Sequence, residues 1–292
     1  MQEGKIIRSL SGFYDVQSED KLVRCRARGR FRKEKVTPLV GDWVKFDMET
    51  EGLGYVLELC ERKNAFVRPP IANVDQVLLV FSAVEPAFNT HLLDRFLVLA
   101  EAERVTPVII ISKMDLVRAE EKEAILHYAE IYKKIGYDVF LTSIQDSEGH
   151  VAIKGKIGGK ISVIAGQSGV GKSSLLNATD SSLQLQTGEI SKHLGRGKHT
   201  TRHVELLSVC GGYVADTPGF SNLDLTHLEK EQLTDYFLEM HAVKGQCKFR
   251  GCLHRKEPKC EVKRLVETNE IASFRYEHYV SFLEEIEEKR RY

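Results

Sequence analysis

Two short stretches of this chain carry residue types that handle phosphate, and a third has the composition of a metal trap. Residues 166–174 read "GQSGVGKSS" and satisfy G-x-x-x-x-G-K-[ST], the loop whose backbone amides cradle the phosphates of a nucleotide. Gly169 and Gly171 let the backbone curl, so the binding set is expected across Gly166, Gln167, Ser168, Gly169, Val170, Gly171, Lys172, Ser173 and Ser174. A helix opening at this point adds about half a positive charge. Lys172 is expected to reach the β- and γ-phosphates, and Ser173 to place its hydroxyl on Mg²⁺. Residues 216–219, "DTPG", fit D-x-x-G, with Asp216 holding Mg²⁺ through water and the Gly219 N–H meeting the γ-phosphate. Between the two lies "GRGKHTTR", a stretch suited to a switch loop, in which Thr200 or Thr201 would complete the Mg²⁺ shell.

A loop of this kind that serves GTP needs a guanine reader, Asn-Lys-x-Asp, normally well downstream. Nothing from residue 175 onward resembles one. Upstream, "SKMD" at Ser112, Lys113, Met114 and Asp115 is that motif with its first residue shortened. Asp115 can accept from guanine N1–H and the 2-amino group together, a pairing that adenine does not offer, and Lys113 would lay its stem along the base. Ser143 and Ile144, ending the next strand, would present a backbone N–H to guanine O6. Alone, "SKMD" also suits an ordinary strand-to-helix turn with Asp near the N-cap. With both phosphate motifs it implies a GTPase whose parts occur in permuted order, G4-G5-G1-G2-G3. Joining old termini and opening new ones at a surface loop keeps a compact sheet intact. A P-loop kinase or ATPase is disfavoured by Asp115 and "DTPG".

Cys247, Cys252, His254 and Cys260 form C-x₄-C-x-H-x₅-C. Three thiolates and one imidazole suit tetrahedral Zn²⁺, and with all four positions filled by protein the ion would be structural. Cys25, Cys60 and Cys210 read as core residues.

The elements that must position these groups fall into three zones. Residues 1–66 show short alternating segments and turns, which predict a small β-barrel or sheet. "FVRPPIANVD" reads as a linker, since Pro69 and Pro70 suit neither a helix nor a central strand. In residues 67–224, continuous Val/Ile/Leu runs ("QVLLVFSAV", "TPVIIIS", "YDVFLTS", "ISVIAG") alternate with amphipathic helices. That pattern means a parallel sheet covered on both faces. Residues 225–292 turn helical at "HLEKEQLTDYFLEM", pass through the cysteine segment and end in one long helix whose charged end reads as a solvated face.

The chain has 292 residues, 42% hydrophobic and 29% charged, with zero formal net charge. No global polyelectrolyte argument for nucleic acid is available. A local one is: "VRCRARGRFR" sets Arg24, Arg26, Arg28, Arg30 and Arg32 at every second position, on one face of a continuous strand. Such a row would track an RNA backbone; an edge strand guarded by charge is the plainer reading. "MQEGKIIRSL" lacks the apolar core of a signal peptide, and no apolar run approaches membrane length, so a cytoplasmic protein with reduced thiols is expected.

In order and content, "SKMD", "GQSGVGKSS", "GRGKHTTRH", "DTPGF" and the cysteine segment resemble the circularly permuted, ribosome small-subunit-dependent GTPase A family. The resemblance spans essentially the whole chain. It implies an oligonucleotide-binding (OB) barrel, a permuted GTPase and a C-terminal zinc domain, acting with GTP and Mg²⁺ on the small ribosomal subunit and its rRNA in late assembly. Monomer is the default oligomeric state. Ser112 stands where many members carry Asn or Thr, and the shorter side chain predicts a weaker tie to the phosphate loop. The position that usually holds a water-orienting Gln is Phe220, so turnover in isolation should be slow. His199, in the switch loop, is the candidate replacement. A factor that uses GTP only as a structural ligand is the competing reading.

Overall fold

The computed structural model describes residues 1–19, 21–49, 52–67, 70–185, 205–216 and 223–289. The N-terminal zone closes on itself. β1 (Gln2–Leu10), β2 (Phe13–Ser18), β3 (Lys21–Ala27), β4 (Trp43–Met48) and β5 (Gly54–Leu59) form a barrel in the order β1-β2-β3-β5-β4, the five-stranded architecture of an OB fold. Alternation places Val23 and Cys25 of β3 inside with Ile6, Val16, Val44, Phe46 and Val56, and leaves Arg24 and Arg26 outside.

The arginine row is not one strand face. β3 ends at Ala27, Arg28 is the extended residue before a helix, and Arg30 and Arg32 lie on that helix, α1 (Gly29–Lys33). Gly29 has no side chain to add to a pleated face, so the strand stops there, and the helical turn directs Phe31 inward to 4% exposure. All five arginines remain exposed, in two groups of different direction.

The expected linker is instead a hairpin of two short strands, β6 (Ala65–Val67) and β7 (Pro70–Ala72), with Ile71 buried and bridged to Val40. Pro70, which has no N–H to donate, fits as the first residue of an edge strand.

Beyond it, β8 (Gln76–Ser82), β9 (Thr106–Ser112), β10 (Asp138–Leu141), β11 (Ile161–Ala165), β12 (Leu207–Val209) and β13 (Gly212–Asp216) form one sheet in the order β10-β9-β8-β11-β13-β12. All neighbours run parallel except β12, which is antiparallel at the edge. α2 (Thr90–Ala102) and α3 (Ala119–Ile135) cover the face bearing Val77, Leu79 and Phe81. α4 (Ser147–Ile157) and α5 (Lys172–Thr179) cover the face bearing Leu78 and Val80. Both faces are dry, which explains the unbroken apolar runs.

Barrel and sheet are joined where β1 meets the chain entering β12: Leu206 N–H donates to the Ile7 carbonyl at 2.8 Å, and Arg8 faces Glu205. Lys5 lies between the rings of Trp43 and Tyr213, 4.9 and 4.7 Å from their centroids.

The C-terminal zone is less helical than its apolar spacing suggests. Lys230–Tyr236 is a 3₁₀ segment, followed by the single-turn α6 (Leu238–His241), then α7 (Glu261–Glu267) and α8 (Ser273–Lys289). Buried Thr234 meets the Tyr279 hydroxyl at 3.0 Å. The charged end of α8 is exposed at Glu284 and Glu288, and part of it is engaged in ion pairs. Glu285 takes a fork of bonds from Arg95, and Glu284 and Glu287 pair with Arg255. Cys25 is buried as expected, whereas Cys60 and Cys210 are only half-buried. No described helix is long and apolar enough to cross a membrane.

At the start of α8, Arg275 is fully buried. It donates to Asp94 of α2 at 2.5 Å and to Glu239 of α6 at 2.7 and 3.0 Å, while Tyr132 of α3 and His278 close on the same Asp94, each at 2.6 Å. Removing one partner strands a buried charge, which costs about 3–5 kcal/mol. Asp94→Ala is therefore expected to lower the urea midpoint by that much stability, far more than exposed Glu130→Ala at the Lys133 pair.

Candidate functional site

The phosphate loop hangs between β11 and α5. Gly166, at φ 144°, passes so close to β8 that a Cβ there would stand 2.1 Å from the Val80 carbonyl oxygen. Gly169 and Gly171 also hold positive φ (82° and 93°), and Gly171 is the residue before the first turn of α5. Val170 is a buried plug beneath the loop, next to Ile164 and Leu176 in the same apolar cluster. Lys172 opens the helix and curls back over the loop, donating to the Gly166 and Gln167 carbonyls at 2.9 Å each. Ser173 sits buried in the first turn, while Ser168 is exposed above it.

"SKMD" is brought to this loop by strand order alone. β9 and β11 flank β8, so Ser112 at the end of β9 ends level with the loop that follows β11. Its Oγ lies 2.6 Å from the Val170 carbonyl and 3.1 Å from the Phe81 carbonyl. The expected weaker tie is thus corrected: a short hydroxyl is the right length, because the loop carbonyl itself rests on it. Lys113, in the left-handed region at φ 61°, spans the gap and donates to the Gly169 carbonyl at 2.7 Å and the Glu85 carbonyl at 2.5 Å. Met114 N–H bonds the Thr142 carbonyl, which fixes Ser143 and Ile144 beside the same edge. Asp115 is exposed in a 3₁₀ turn, with no hydrogen bond to any described residue. An acceptor carboxylate left open beside an anion-binding loop can take paired N–H donors from a planar base.

Asp216 ends β13 in register with Ile164 of β11, one strand from the phosphate loop. His199, Thr200, Thr201, Gly219 and Phe220 lie outside the described residues. The carbonyls of Val80, Phe81 and Glu85 are structural parts of the site that no motif could disclose, because any residue type supplies a carbonyl.

In the C-terminal zone, the four expected metal ligands converge. The ligand atoms of Cys247, Cys252, His254 and Cys260 lie within 4.8 Å of one another, with 3.9 Å between Cys247 and Cys260 sulfurs, and 3.5 and 3.3 Å from those sulfurs to His254 Nδ1. A tetrahedron with bonds near 2.3 Å has edges of about 3.8 Å, so the donor set fits a metal such as zinc. Burial pushes the Cys260 thiol up to about 12, so a dication is what would let these sulfurs ionise together. Around them, the Glu257 carboxylate accepts from the N–H groups of Leu253, Arg255 and Lys256, and Tyr276 donates to the His254 carbonyl.

A sheet of this order, carrying a phosphate loop after its central strand and a guanine-type motif earlier in the chain, defines a circularly permuted GTPase. The family model described as RsgA GTPase matches residues 59–226, and that of the RsgA N-terminal domain matches residues 3–56. The chain belongs to the RsgA family and is a GTP hydrolase. Its relatives include proteins named small ribosomal subunit biogenesis GTPase RsgA from Bacillus velezensis, 58% identical over 99% of both chains, and from Bacillus subtilis, 56% identical over the same shares. Solved structures agree. YloQ, titled a circularly permuted GTPase, superposes with TM-score 0.85 at 49% identity, covering 99% of this chain and 96% of the other. YjeQ from Thermotoga maritima does so at 0.87 with 39% identity, covering 98% of each chain.

Two outcomes follow from this geometry. Gly166→Ala drives a methyl into the Val80 carbonyl and is expected to weaken GTP binding at least tenfold, read by titration with a fluorescent GTP analogue. A strong chelator is expected to lower the melting temperature of the C-terminal zone, and one equivalent of zinc to restore it, followed by circular dichroism and metal analysis.

Proposed function

We propose that this chain acts in the cytoplasm as a monomer that binds the small ribosomal subunit through its rRNA and hydrolyses GTP to GDP and phosphate late in subunit assembly, slowly alone and faster on the subunit. The observation that carries the GTP assignment is the hold of Ser112 and Lys113 on the phosphate loop, which ties the segment bearing the open Asp115 carboxylate to it. In this reading Asp115 pairs with guanine, Lys113 covers the base and the Ser143–Ile144 backbone meets O6. Residues 166–174 hold the phosphates, with Lys172 leaving its two loop carbonyls for the β- and γ-oxygens.

Magnesium bound by Ser173, by Asp216 through water and by Thr200 or Thr201 would neutralise charge on the phosphates. The Gly219 N–H would meet the γ-phosphate. His199 orients the attacking water, because Phe220 at the usual glutamine position has no polar atom to do so. Zinc held by Cys247, Cys252, His254 and Cys260 is structural. Arg24 and Arg26 of β3, Arg28 after it, and Arg30 and Arg32 of α1 supply phosphate contacts; Arg24 and Arg26 also lie over the Phe13 ring.

The two switch segments are bracketed by the flanking units. Leu206 and Glu205 are tied to the barrel, and the Leu223 carbonyl accepts from Arg95, which is paired with Glu285 of α8. Loss of the γ-phosphate can therefore loosen both grips at once.

Phosphate release from GTP and ATP, with and without purified small subunits, tests the assignment. Stimulated turnover of GTP alone is expected. Tight GTP-dependent binding without stimulation would instead favour GTP as a structural ligand, and ATP turnover would refute the role of Asp115. His199→Ala is expected to lose at least tenfold of the stimulated rate, and undiminished turnover on the subunit would remove that residue from the mechanism.

A further inference from the structure

The end of the sheet away from the nucleotide carries a cleft that the GTPase chemistry does not use. β9 and β10 start there, at Thr106 and Asp138, and finish at Ser112 and Leu141 on the nucleotide edge. The length of β9 separates the two ends by roughly 20 Å. The cleft encloses about 370 Å³, and its wall includes Glu101 in the last turn of α2, Arg104 just past that helix, Tyr137 after α3 and Leu238 of α6. Sites for small molecules usually hold about 300–1,000 Å³, so this one suits a ligand of few atoms. It also spans a seam. Leu238 precedes Glu239, which shares the Arg275 guanidinium with Asp94, and the Tyr137 ring lies 6.4 Å from Tyr132, which donates to the same Asp94.

The polar groups of this wall are poorly matched to one another. Glu101 is half-buried and makes no ion pair among the described residues. Burial raises its carboxyl above the usual range, and the neighbouring Tyr137 hydroxyl and Arg275 guanidinium offset only part of that rise. Tyr137 is 6% exposed, and its hydroxyl completes no hydrogen bond to a described residue. Arg104 leaves α2 through a left-handed turn at φ 56° and is exposed, with no ion pair among the described residues, not even to Glu101 three positions earlier. The other carboxylate at the rim, Asp138, is already held by Lys156 at 2.6 Å. A half-buried carboxylate and an exposed guanidinium therefore face one cleft without neutralising each other.

From this arrangement we infer that the cleft binds a small zwitterion, an α-amino acid, with its ammonium at Glu101 beside the Tyr137 hydroxyl and its carboxylate on the Arg104 guanidinium. Hydrogen bonds in which either partner is ionised are about twice as strong as neutral ones, and this ligand makes them at both of its ends. A simple amine would leave Arg104 unpaired, and a simple carboxylate would meet the charge of Glu101. Pro107 and Leu238 offer apolar surface to an aliphatic side chain. An occupant touching α2, the start of β9 and α6 together would also stabilise the docking of the C-terminal unit.

The test titrates the full-length, zinc-loaded, GDP-bound protein calorimetrically with L-norvaline, with n-butylamine, which lacks its carboxylate, and with pentanoate, which lacks its ammonium. Norvaline is expected to saturate the protein below about 10 mM, and the other two to bind at least roughly tenfold more weakly. Glu101→Gln should weaken norvaline at least roughly tenfold, and Tyr137→Phe about fivefold. Arg104→Ala, at an exposed position, should leave norvaline binding no better than butylamine. Norvaline should raise the melting temperature of the parent but not of Glu101→Gln, and GDP affinity should be the same in all three variants. No saturation of the parent by norvaline overturns the inference. Butylamine binding as tightly as norvaline overturns it in favour of a plain cation site. Norvaline binding that survives both Glu101→Gln and Arg104→Ala lies elsewhere on the protein and overturns it as well.

Discussion

Everything at the nucleotide edge depends on how closely two loops rest on the end of one strand. β8 runs between β9 and β11, and its last carbonyls are the floor of the site: Val80 lies under Gly166 and Phe81 under Ser112. Only a residue without a Cβ can cross Val80 at that distance, and the Ser112 hydroxyl sits between the Phe81 and Val170 carbonyls. Together they hold a base-reading motif against a phosphate loop that lies 58 residues further along the chain. The order of the motifs along the sequence is then immaterial. What a nucleotide meets is the order of strands across the sheet, which permutation leaves unchanged.

The C-terminal unit is secured by a different means. Its metal cluster organises its own loops, but one attachment to the GTPase region runs from Arg275 to Asp94 of α2, with Glu239 of the same unit sharing the guanidinium. A fully buried guanidinium is tolerated because two carboxylates share it and the Phe237 ring lies 4.6 Å away. Charge buried in this way stabilises less than packing would. It does demand one docking geometry, since any displacement leaves an unpaired ion in an apolar layer.

Much of this was legible in the sequence wherever a pattern is local. The unbroken runs of β8, β9 and β11 announced a sheet buried on both faces, the alternation in β3 gave the barrel wall, and the cysteine spacing gave the metal group. The arginine row failed for a local reason: Arg24 to Arg32 keep a period of two, yet β3 ends at Ala27 and Gly29 opens a helix. Elsewhere distant partners override local pattern. Leu233, Phe237 and Met240 are spaced for an α-helix, but the segment is 3₁₀ and its Thr234 meets Tyr279, 45 residues away. Nothing local marks Arg275 for burial, because its partner Asp94 lies 181 residues upstream. Ser112 was judged by its length, when the deciding quantity was the height of a carbonyl set by the sheet.

The central position of β8 has a consequence for how the protein is made. All seven of its residues are buried, with β9 on one side and β11 on the other. β9 leaves the ribosome soon after it, but β11 is translated about eighty residues later, and the helices covering Leu78 and Val80 straddle that same interval. At ordinary elongation rates the delay is roughly 4–16 s. Through that time the nascent chain carries a strand with an unpaired edge and one uncovered apolar face, the combination most prone to wrong pairing. In the unpermuted order the phosphate-loop strand would be waiting when β8 arrived. A GTPase rearranged in this way spends the middle of its own synthesis with the centre of its sheet exposed.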